Sequence, residues 1–336
     1  MVSIKDVARR AGVSIGTVSN ALNRPDRVSP ATRARVASAV DELGYVRSES
    51  ARQLRAGQSR IMALLVLDMG NPFFVDIARG AEQAARAEGL GVMLCNSEQD
   101  KTAEELYLSL FAEQRVRGVL ITPADETGTT MKSFQRHGIP YVFVDRVVAA
   151  HEACSVSVDD VAGGELAVRH LIEGGHTSIA YVSGPPHLAQ CQDRLTGALK
   201  ALSDAGLQPD SLTVLENSAD GVASGRDAGS RFLGVHPRPT AIFCSNDLLA
   251  LGVLQTLFAA GVRVPDEVSI VGYDDIEFAE AAAVPLTSVR QPAVTMGRTA
   301  AELLIHETGE NPEHVHQRIA FQPELVVRNS SLPGQR

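Results

Sequence analysis

The sequence predicts an α/β protein in two parts: an N-terminal all-α headpiece and a larger body with two lobes of parallel sheet. Helix caps and turn glycines follow one another closely up to Gly44, whereas from Ile61 onward short apolar runs alternate with helical stretches. The charge changes at the same place, because residues 1–60 carry a net +6 within a chain of net −9. A small basic unit on an acidic body is typical of proteins in which one part meets phosphate.

Serine caps define the helices of the headpiece. Gly12 supplies the turn between the first two helices, where Ala8 gives a small contact and Val18 an apolar anchor, as a helix-turn-helix requires. Gly44 ends the third helix. The predicted helices are Ile4 to Arg10 after Ser3, Ile15 to Asn23 after Ser14, and Pro30 to Leu43 after Ser29.

The outer face of the second helix carries short or amide side chains. Such side chains can lie close to base edges and phosphates in a major groove. The alternative is a three-helix bundle whose polar face is merely solvated. The candidate DNA-binding residues are Ser14, Ile15, Gly16, Thr17, Ser19, Asn20 and Asn23.

The segment IKDVARRAGVSIGTVSNALNRPDRVSPATRARVASAVDELGYV resembles the headpiece of the LacI/GalR family of bacterial repressors. The resemblance implies a headpiece over residues 1–46, in which Ile15, Gly16 and Asn20 choose the operator sequence and Thr17 and Ser19 contact phosphates. It also implies a hinge helix and linker over 47–60. There Leu54 stands where the family inserts a leucine between base pairs through the minor groove. The alternative is that Leu54 packs on the body.

The body has near-continuous apolar strands between helices, which indicates parallel sheets covered on both faces. There are too many units for one sheet, so we expect two lobes with a break near Asp160. Ligands of such sheets bind beyond the carboxyl ends of the strands. Polar residues follow the strands there, although each one could instead be a helix cap. These residues are Thr122, Asp145, Asn246, Asp247 and Asp274.

Four further segments are similar to the periplasmic-binding-protein-like sensor of these repressors: NPFFVDIARGAE, SGPP with RLTGALKAL, AIFCSNDLLALGVLQTL, and VSIVGYDDIEFAEAAAVPLTSVRQP. The resemblance implies a sensor over 61–330. Its N-lobe would comprise about 61–160 and 292–322, and its C-lobe about 161–291 and 323–330.

The same resemblance implies an effector site and the class of its ligand. The carboxylates, amide and guanidinium favour a sugar or small polyol. A purine-responsive relative would carry arginine, threonine and an aromatic residue where Leu188, Gln190 and Asp220 stand. The expected effector-binding residues are Phe73, Phe74, Thr122, Asp145, Leu188, Gln190, Arg194, Asp220, Asn246, Asp247, Asp274 and Gln291.

The sequence shows no catalytic, cofactor or metal motif. The four cysteines lie far apart without a C-x-x-C pair, and no P-loop, G-x-S-x-G or H-E-x-x-H is present. We expect His314 and His316 to lie in a surface loop without acidic or cysteine partners at ligand spacing. No apolar run reaches the ~18 residues of a membrane span. With no signal segment visible, we expect a cytoplasmic protein that does not contact membrane.

Together these features predict a transcriptional repressor that binds a pseudo-palindromic operator as a homodimer and is released by a small-molecule effector, expected to be a sugar. The alternatives are a sugar-binding transport protein, a corepressor-dependent regulator of the same family and, more distantly, an enzyme on this fold.

Overall fold

The structure of the protein is a computed structural model that describes residues 2–46, 59–124, 132, 134, 136–148, 153–309 and 314–331. The chain divides into two compact units between Ser59 and Arg60. The predicted hinge helix with Leu54 lies outside the described residues. Within the described part, no helix is long and apolar enough to cross a membrane.

The described part of the first unit, residues 2–46 and 59, holds three α-helices around a small apolar core. Ser14 Oγ accepts a hydrogen bond from the amide of Thr17 at 3.1 Å and so caps the second helix. Gly12 and Gly44 follow the first and third helices with φ of 65° and 60°, the left-handed conformation that ends helices. Val18 and Val7 are fully buried in the core. The helices are α1 (Ile4–Ala11), α2 (Ile15–Asn23) and α3 (Pro30–Leu43), with a 3₁₀ turn at Pro25–Arg27.

The second unit contains two six-stranded sheets with helices packed on them. The strands are β1 (Ile61–Val66), β2 (Gly91–Asn96), β3 (Val119–Ile121), β4 (Tyr141–Val144), β5 (Cys154–Val158), β6 (Ile179–Ser183), β7 (Leu212–Glu216), β8 (Ala241–Cys244), β9 (Ser269–Asp274), β10 (Thr287–Arg290), β11 (Arg318–Phe321) and β12 (Glu324–Val326). The helices are α4 (Pro72–Ala87), α5 (Lys101–Glu113), α6 (Asp160–Glu173), α7 (Ala189–Asp204), α8 (Val222–Leu233), α9 (Asp247–Ala259), α10 (Glu277–Glu280) and α11 (Ala293–Glu307).

Each sheet forms one lobe of the second unit. The N-lobe sheet has the order β11-β5-β4-β3-β1-β2, and the C-lobe sheet has the order β12-β10-β9-β8-β6-β7. All pairings are parallel except that of β12 with β10. The chain therefore passes between the lobes three times: after β5, after β10 and after β11. The predicted fold class, an all-α headpiece followed by a two-lobed parallel-sheet sensor, is confirmed.

Three helix pairs cross so closely that a glycine stands on each side of every crossing. In the crossing of α4 and α11, a Cβ on Gly297 would lie 1.9 Å from the carbonyl oxygen of Ile77, and one on Gly80 would lie 1.9 Å from that of Val294. Gly164 and Gly197 stand at the crossing of α6 and α7. Gly225 and Gly252 stand at the crossing of α8 and α9. Backbone contact at this range leaves no room for any side chain.

One prediction from the sequence is wrong in part. His314 and His316 lie in a loop, as predicted, but both are partly buried, and a cysteine and an acidic residue lie beside them in space. The His314 side chain is only 9% exposed. Its Nε2 lies 3.2 Å from Cys154 Sγ and 3.9 Å from a carboxylate oxygen of Glu307. These partners come from β5 and α11, so their proximity depends on the tertiary fold and not on sequence spacing.

Candidate functional site

The exposed side of α2 carries the predicted DNA-binding residues. Val18 is fully buried and fixes the rotation of the helix, which leaves Gly16 and Asn20 exposed and Ile15 at 45% exposure. The hydroxyls of Ser14 and Thr17 lie 2.9 Å apart at the start of the helix. A large apolar residue, a glycine and an amide are thus presented together on one turn and a half of helix.

The second unit contains a small cavity of about 40 Å³ between its two lobes. It lies at the carboxyl ends of the parallel strands, as expected for sheets of this kind. The structure brings nine of the predicted effector residues together there. They are Phe73, Phe74, Asp145, Leu188, Gln190, Arg194, Asp220, Asn246 and Asp274, joined by Leu67, Asn71, Cys191 and Ser245, which the sequence did not single out.

Arg194 is held rigidly at the wall of this cavity. Its Nε donates to Asp160 Oδ1 at 2.7 Å, and its Nη1 donates to the carbonyl oxygen of Ser245. The guanidinium carbon lies 3.7 Å from the ring centroid of Tyr273. The close crossing at Gly164, whose Cβ position would lie 2.1 Å from the Arg194 carbonyl, brings α6 and α7 near enough for the ion pair. Arg194 is therefore oriented before any ligand arrives.

Three amide–carboxyl pairs join the lobes around the cavity. In each pair one lobe supplies the amide and the other supplies the carboxyl group. Asn71 Nδ2 donates to Asp274 Oδ2 at 3.0 Å, and Gln190 Nε2 donates to Asp145 Oδ2 at 2.8 Å. The third pair is longer: Gln99 Nε2 lies 3.4 Å from Asp220 Oδ1. The lobes are thus held in contact by the same carboxyl groups that line the cavity.

Burial changes the protonation of these carboxyl groups. It raises the pKa of Asp145 to about 8, with the nearby Asp160 adding to the rise and Arg194 opposing it. Burial also raises the pKa of Asp274 to about 6, against the stabilising effect of Arg194 and of the hydrogen bond from Asn71. At neutral pH Asp145 is therefore a protonated acid, which can both donate and accept a hydrogen bond.

The backbone is strained at the same two residues. Asp145 has a backbone φ of 57° and Asp274 has a backbone φ of 101°, values that residues other than glycine rarely adopt. Each of these residues lies at the end of a strand of its lobe, β4 and β9, and each faces the other lobe through an amide. Strain at matching positions of two lobes is typical of a ligand site.

Three predicted effector residues do not line this cavity directly. Asp247 does not line the cavity, because its carboxylate accepts hydrogen bonds from Ser288 Oγ at 2.7 Å and from the amide of Ile276 at 2.9 Å. Thr122 lines a smaller recess beside the cavity, which it shares with Asp145. Gln291 donates to Asp274 Oδ1 at 2.8 Å from the opposite side. Asp247 therefore fixes the end of β9, whereas Thr122 and Gln291 lie beside the cavity.

Several buried polar atoms among the described residues have no hydrogen-bond partner, and three of them lie at this site. They are Thr122 Oγ1, Asp145 Oδ1 and Gln291 Oε1. A buried polar atom without a partner costs about 1–3 kcal/mol, so a ligand that supplies the missing hydrogen bonds is favoured.

Comparison with known proteins defines the class to which this fold and site belong. Residues 3–48 match the family model of bacterial regulatory proteins of the lacI family, and residues 168–331 match that of a periplasmic binding protein-like domain. An HTH-type transcriptional repressor PurR of Vibrio campbellii (strain ATCC BAA-1116) is 37% identical over 331 residues, which cover 98% of each chain. The protein is thus a DNA-binding transcriptional repressor with a two-lobed sensor.

Two solved structures agree with this class. A complex of the transcriptional regulator CelR with cellobiose is 34% identical, has a TM-score of 0.75 and covers 98% of this chain and 100% of its own. A lac repressor dimer bound to operator and the anti-inducer ONPF is 27% identical, with a TM-score of 0.85 over 98% and 99% of the two chains. The chain belongs to the LacI family of bacterial regulatory proteins.

Proposed function

We propose that this repressor is a cytoplasmic homodimer without enzymatic activity whose effector is a neutral sugar or small polyol, bound in the cavity between the lobes. The observation that carries the proposal is the set of carboxyl groups around one guanidinium: those of Asp145 and Asp274, which are buried, and that of Asp220, which is partly buried. Carboxyl and amide groups pair with vicinal hydroxyls, and the rings of Phe73 and Phe74 suit the apolar face of a sugar. The similar CelR structure holds cellobiose, which agrees with this class.

The charge of the cavity wall opposes an anionic effector. Arg194 is the guanidinium that lines the cavity, and it is already paired with Asp160. The carboxylate of Asp274 would repel a phosphate, and an anion would add a further negative charge to a largely buried site. A neutral polyhydroxylated ligand avoids this cost. Its hydroxyls can also hydrogen-bond to Asp145 Oδ1, which has no hydrogen-bond partner among the described residues.

A thermal-shift screen of the full-length chain tests the proposal. The panel contains neutral mono- and disaccharides, polyols, sugar phosphates and purine bases. We expect a neutral sugar or polyol to raise the melting temperature, because a ligand present at 100 times its Kd stabilises the folded state by about 2.7 kcal/mol. Stabilisation by purine bases or sugar phosphates alone, or by no compound, would overturn the sugar assignment.

The direction of the response is tested on operator DNA. A duplex selected from random sequence by the full-length protein is titrated with and without the stabilising sugar. We expect the sugar to lower the affinity for the selected duplex, with a coupling of about 1–3 kcal/mol. An increase in affinity would instead identify a corepressor-dependent regulator.

For the headpiece, we infer that α2 enters the major groove, where Ile15, Gly16 and Asn20 read base edges and Thr17 and Ser19 contact phosphates. Ser14 and Asn23 lie on the same DNA-binding face. The exposure of Asn20 and the burial of Val18 support this orientation of the helix. From the sequence, we also infer that Leu54 inserts between base pairs through the minor groove.

We expect Asn20→Ala to relax the sequence preference at one base pair of each half-site and to cost about 1–3 kcal/mol on the selected operator. Thr17→Ala should instead weaken binding about equally on all duplexes, because a phosphate contact reads no sequence. The measurement is fluorescence anisotropy at fixed salt on the selected duplex and its single-base variants. Ser109→Ala, on the exposed side of α5 in the sensor, is the control and should bind as the parent protein does. An unchanged base preference in Asn20→Ala would remove this residue from the reading face.

A further inference from the structure

Four potential metal ligands from three parts of the N-lobe lie close together, away from the effector cavity. Cys154 begins β5, Glu307 ends α11, and His314 and His316 precede β11. One ligand atom of each lies within 4.8 Å of the others. None of the four lines the cavity between the lobes. Residues so distant in sequence meet here only because α11 and β11 both return to the N-lobe.

The distances within the cluster agree with a small coordination shell. Cys154 Sγ lies 3.2 Å from His314 Nε2 and 3.8 Å from His316 Nδ1. Glu307 Oε2 lies 3.9 Å from His314 Nε2. Two ligands on a tetrahedral Zn²⁺ are about 3.4–3.6 Å apart when the metal bonds are about 2.0–2.3 Å long. The four groups therefore surround a space of the size that such an ion occupies.

Two further observations indicate that the cluster is arranged for a ligand. Glu307 Oε2 is buried and, among the described residues, has no hydrogen-bond partner. The second ring nitrogen of His314, Nδ1, lies 3.1 Å from His306 Nδ1. A metal-binding histidine almost always donates its other ring N–H to an acceptor, and His306 Nδ1 can accept from His314 Nδ1 when His306 carries its proton on Nε2.

We propose that Cys154, Glu307, His314 and His316 form a four-coordinate site for a divalent transition-metal ion, and that Zn²⁺ suits it best. One thiolate, two imidazoles and one carboxylate are ligands that Zn²⁺ accepts in tetrahedral geometry, whereas Mg²⁺ and Ca²⁺ require oxygen ligands. All four positions are supplied by the protein, which is typical of a structural site. The bound ion would tie the C-terminal end of α11 and the start of β11 to β5, and so hold the edge of the N-lobe sheet.

Cobalt titration of the full-length, reduced and chelator-treated protein tests the site. Co²⁺ reports a bound thiolate through a charge-transfer band in the near ultraviolet, and tetrahedral coordination through intense visible bands. We expect both bands to saturate at one equivalent and to disappear when Zn²⁺ is added, since Zn²⁺ and Co²⁺ accept the same ligands in this geometry. We also expect Zn²⁺ to raise the melting temperature, because the ion binds the folded state. The absence of a charge-transfer band would overturn the proposal.

The matched pair of variants is Cys154→Ser and Cys95→Ser. Cys95 is a partly buried cysteine in β2, at the opposite edge of the same sheet. We expect Cys154→Ser to lose the charge-transfer band and Cys95→Ser to keep it. A band that persists in Cys154→Ser, or that is lost in Cys95→Ser, would show that another thiol binds the metal.

Two further variants keep the test decisive if Cys154→Ser does not fold. His316→Asn removes one ligand at a half-buried position and should lose tetrahedral cobalt binding while the circular dichroism spectrum is retained. His306→Phe leaves all four ligands in place and should weaken Zn²⁺ binding about 10- to 100-fold, as expected for the partner of a metal-binding histidine. Unchanged metal affinity in both variants would exclude these histidines from the site.

Discussion

Gly297→Ala will destabilise the sensor by about 3 kcal/mol or more, the upper end of what overpacking usually costs. The new Cβ would lie 1.9 Å from the carbonyl oxygen of Ile77, and the nearest atoms belong to backbone and cannot rotate away. The two helices α4 and α11 would have to separate, which opens the core beneath them. Since 1 kcal/mol corresponds to about 2–4 °C in a domain somewhat smaller than this sensor, we expect the melting temperature to fall by about 6 °C or more.

Differential scanning calorimetry of the full-length chain measures this effect. Gly91→Ala is the control, because its Cβ would meet open space at the start of β2. It should change the free energy of unfolding by no more than about 0.5 kcal/mol. The double change Gly80→Ala with Gly297→Ala should cost less than the sum of the two single changes, because either one separates the same pair of helices. Additive costs, or a melting temperature for Gly297→Ala equal to that of Gly91→Ala, would contradict the close crossing.

Arg194→Lys will uncouple the effector from the operator. Lysine keeps the charge beside Asp160 but loses the planar fork that also reaches the carbonyl of Ser245. We expect the effector to bind about 100-fold more weakly, a loss of about 2.7 kcal/mol, while operator affinity stays within about twofold of the parent protein. Isothermal titration with the sugar selected by the screen, and anisotropy with operator DNA, measure the two affinities.

The choice of lysine separates a binding effect from a folding effect. Arg194→Ala would leave the Asp160 carboxylate buried without its partner, a change that costs about 3–5 kcal/mol by itself. The matched control is Lys200→Arg on the exposed part of α7, which should alter neither affinity. Normal effector affinity in Arg194→Lys would remove Arg194 from the binding wall.

The sequence predicted those features that depend on local signals. Ser14 and Gly12 are recognisable because a cap and a left-handed turn act on the residues beside them. Asp145 and Asp274 could be placed because the ends of parallel strands meet at one edge of a sheet. The sequence could also predict the fold class, because strand–helix alternation is repeated along the whole sensor.

Features set by distant contacts could not be predicted in this way. Asp160 meets Arg194 across a helix crossing, and nothing in the local sequence of Asp160 distinguishes it from an ordinary residue at a helix start. Asp247 follows a strand as Asp145 does, but its carboxylate turns toward Ser288, which is 41 positions away. The contact between Cys154 and His314 joins residues 160 positions apart. In each case the partner was decided by packing between elements.

The three passages of the chain between the lobes have a consequence for biosynthesis. The edge of β5 is covered by β11, and the edge of β10 by β12, so neither sheet is complete until residues 318–326 have been made. A nascent chain that has left the ribosome only as far as α11 therefore still exposes two unpaired strand edges. Other chains can pair with such edges and cause association. Residues 318–326 cover both strand edges. A chain that terminates before residue 318 therefore keeps one uncovered strand edge in each lobe of the sensor.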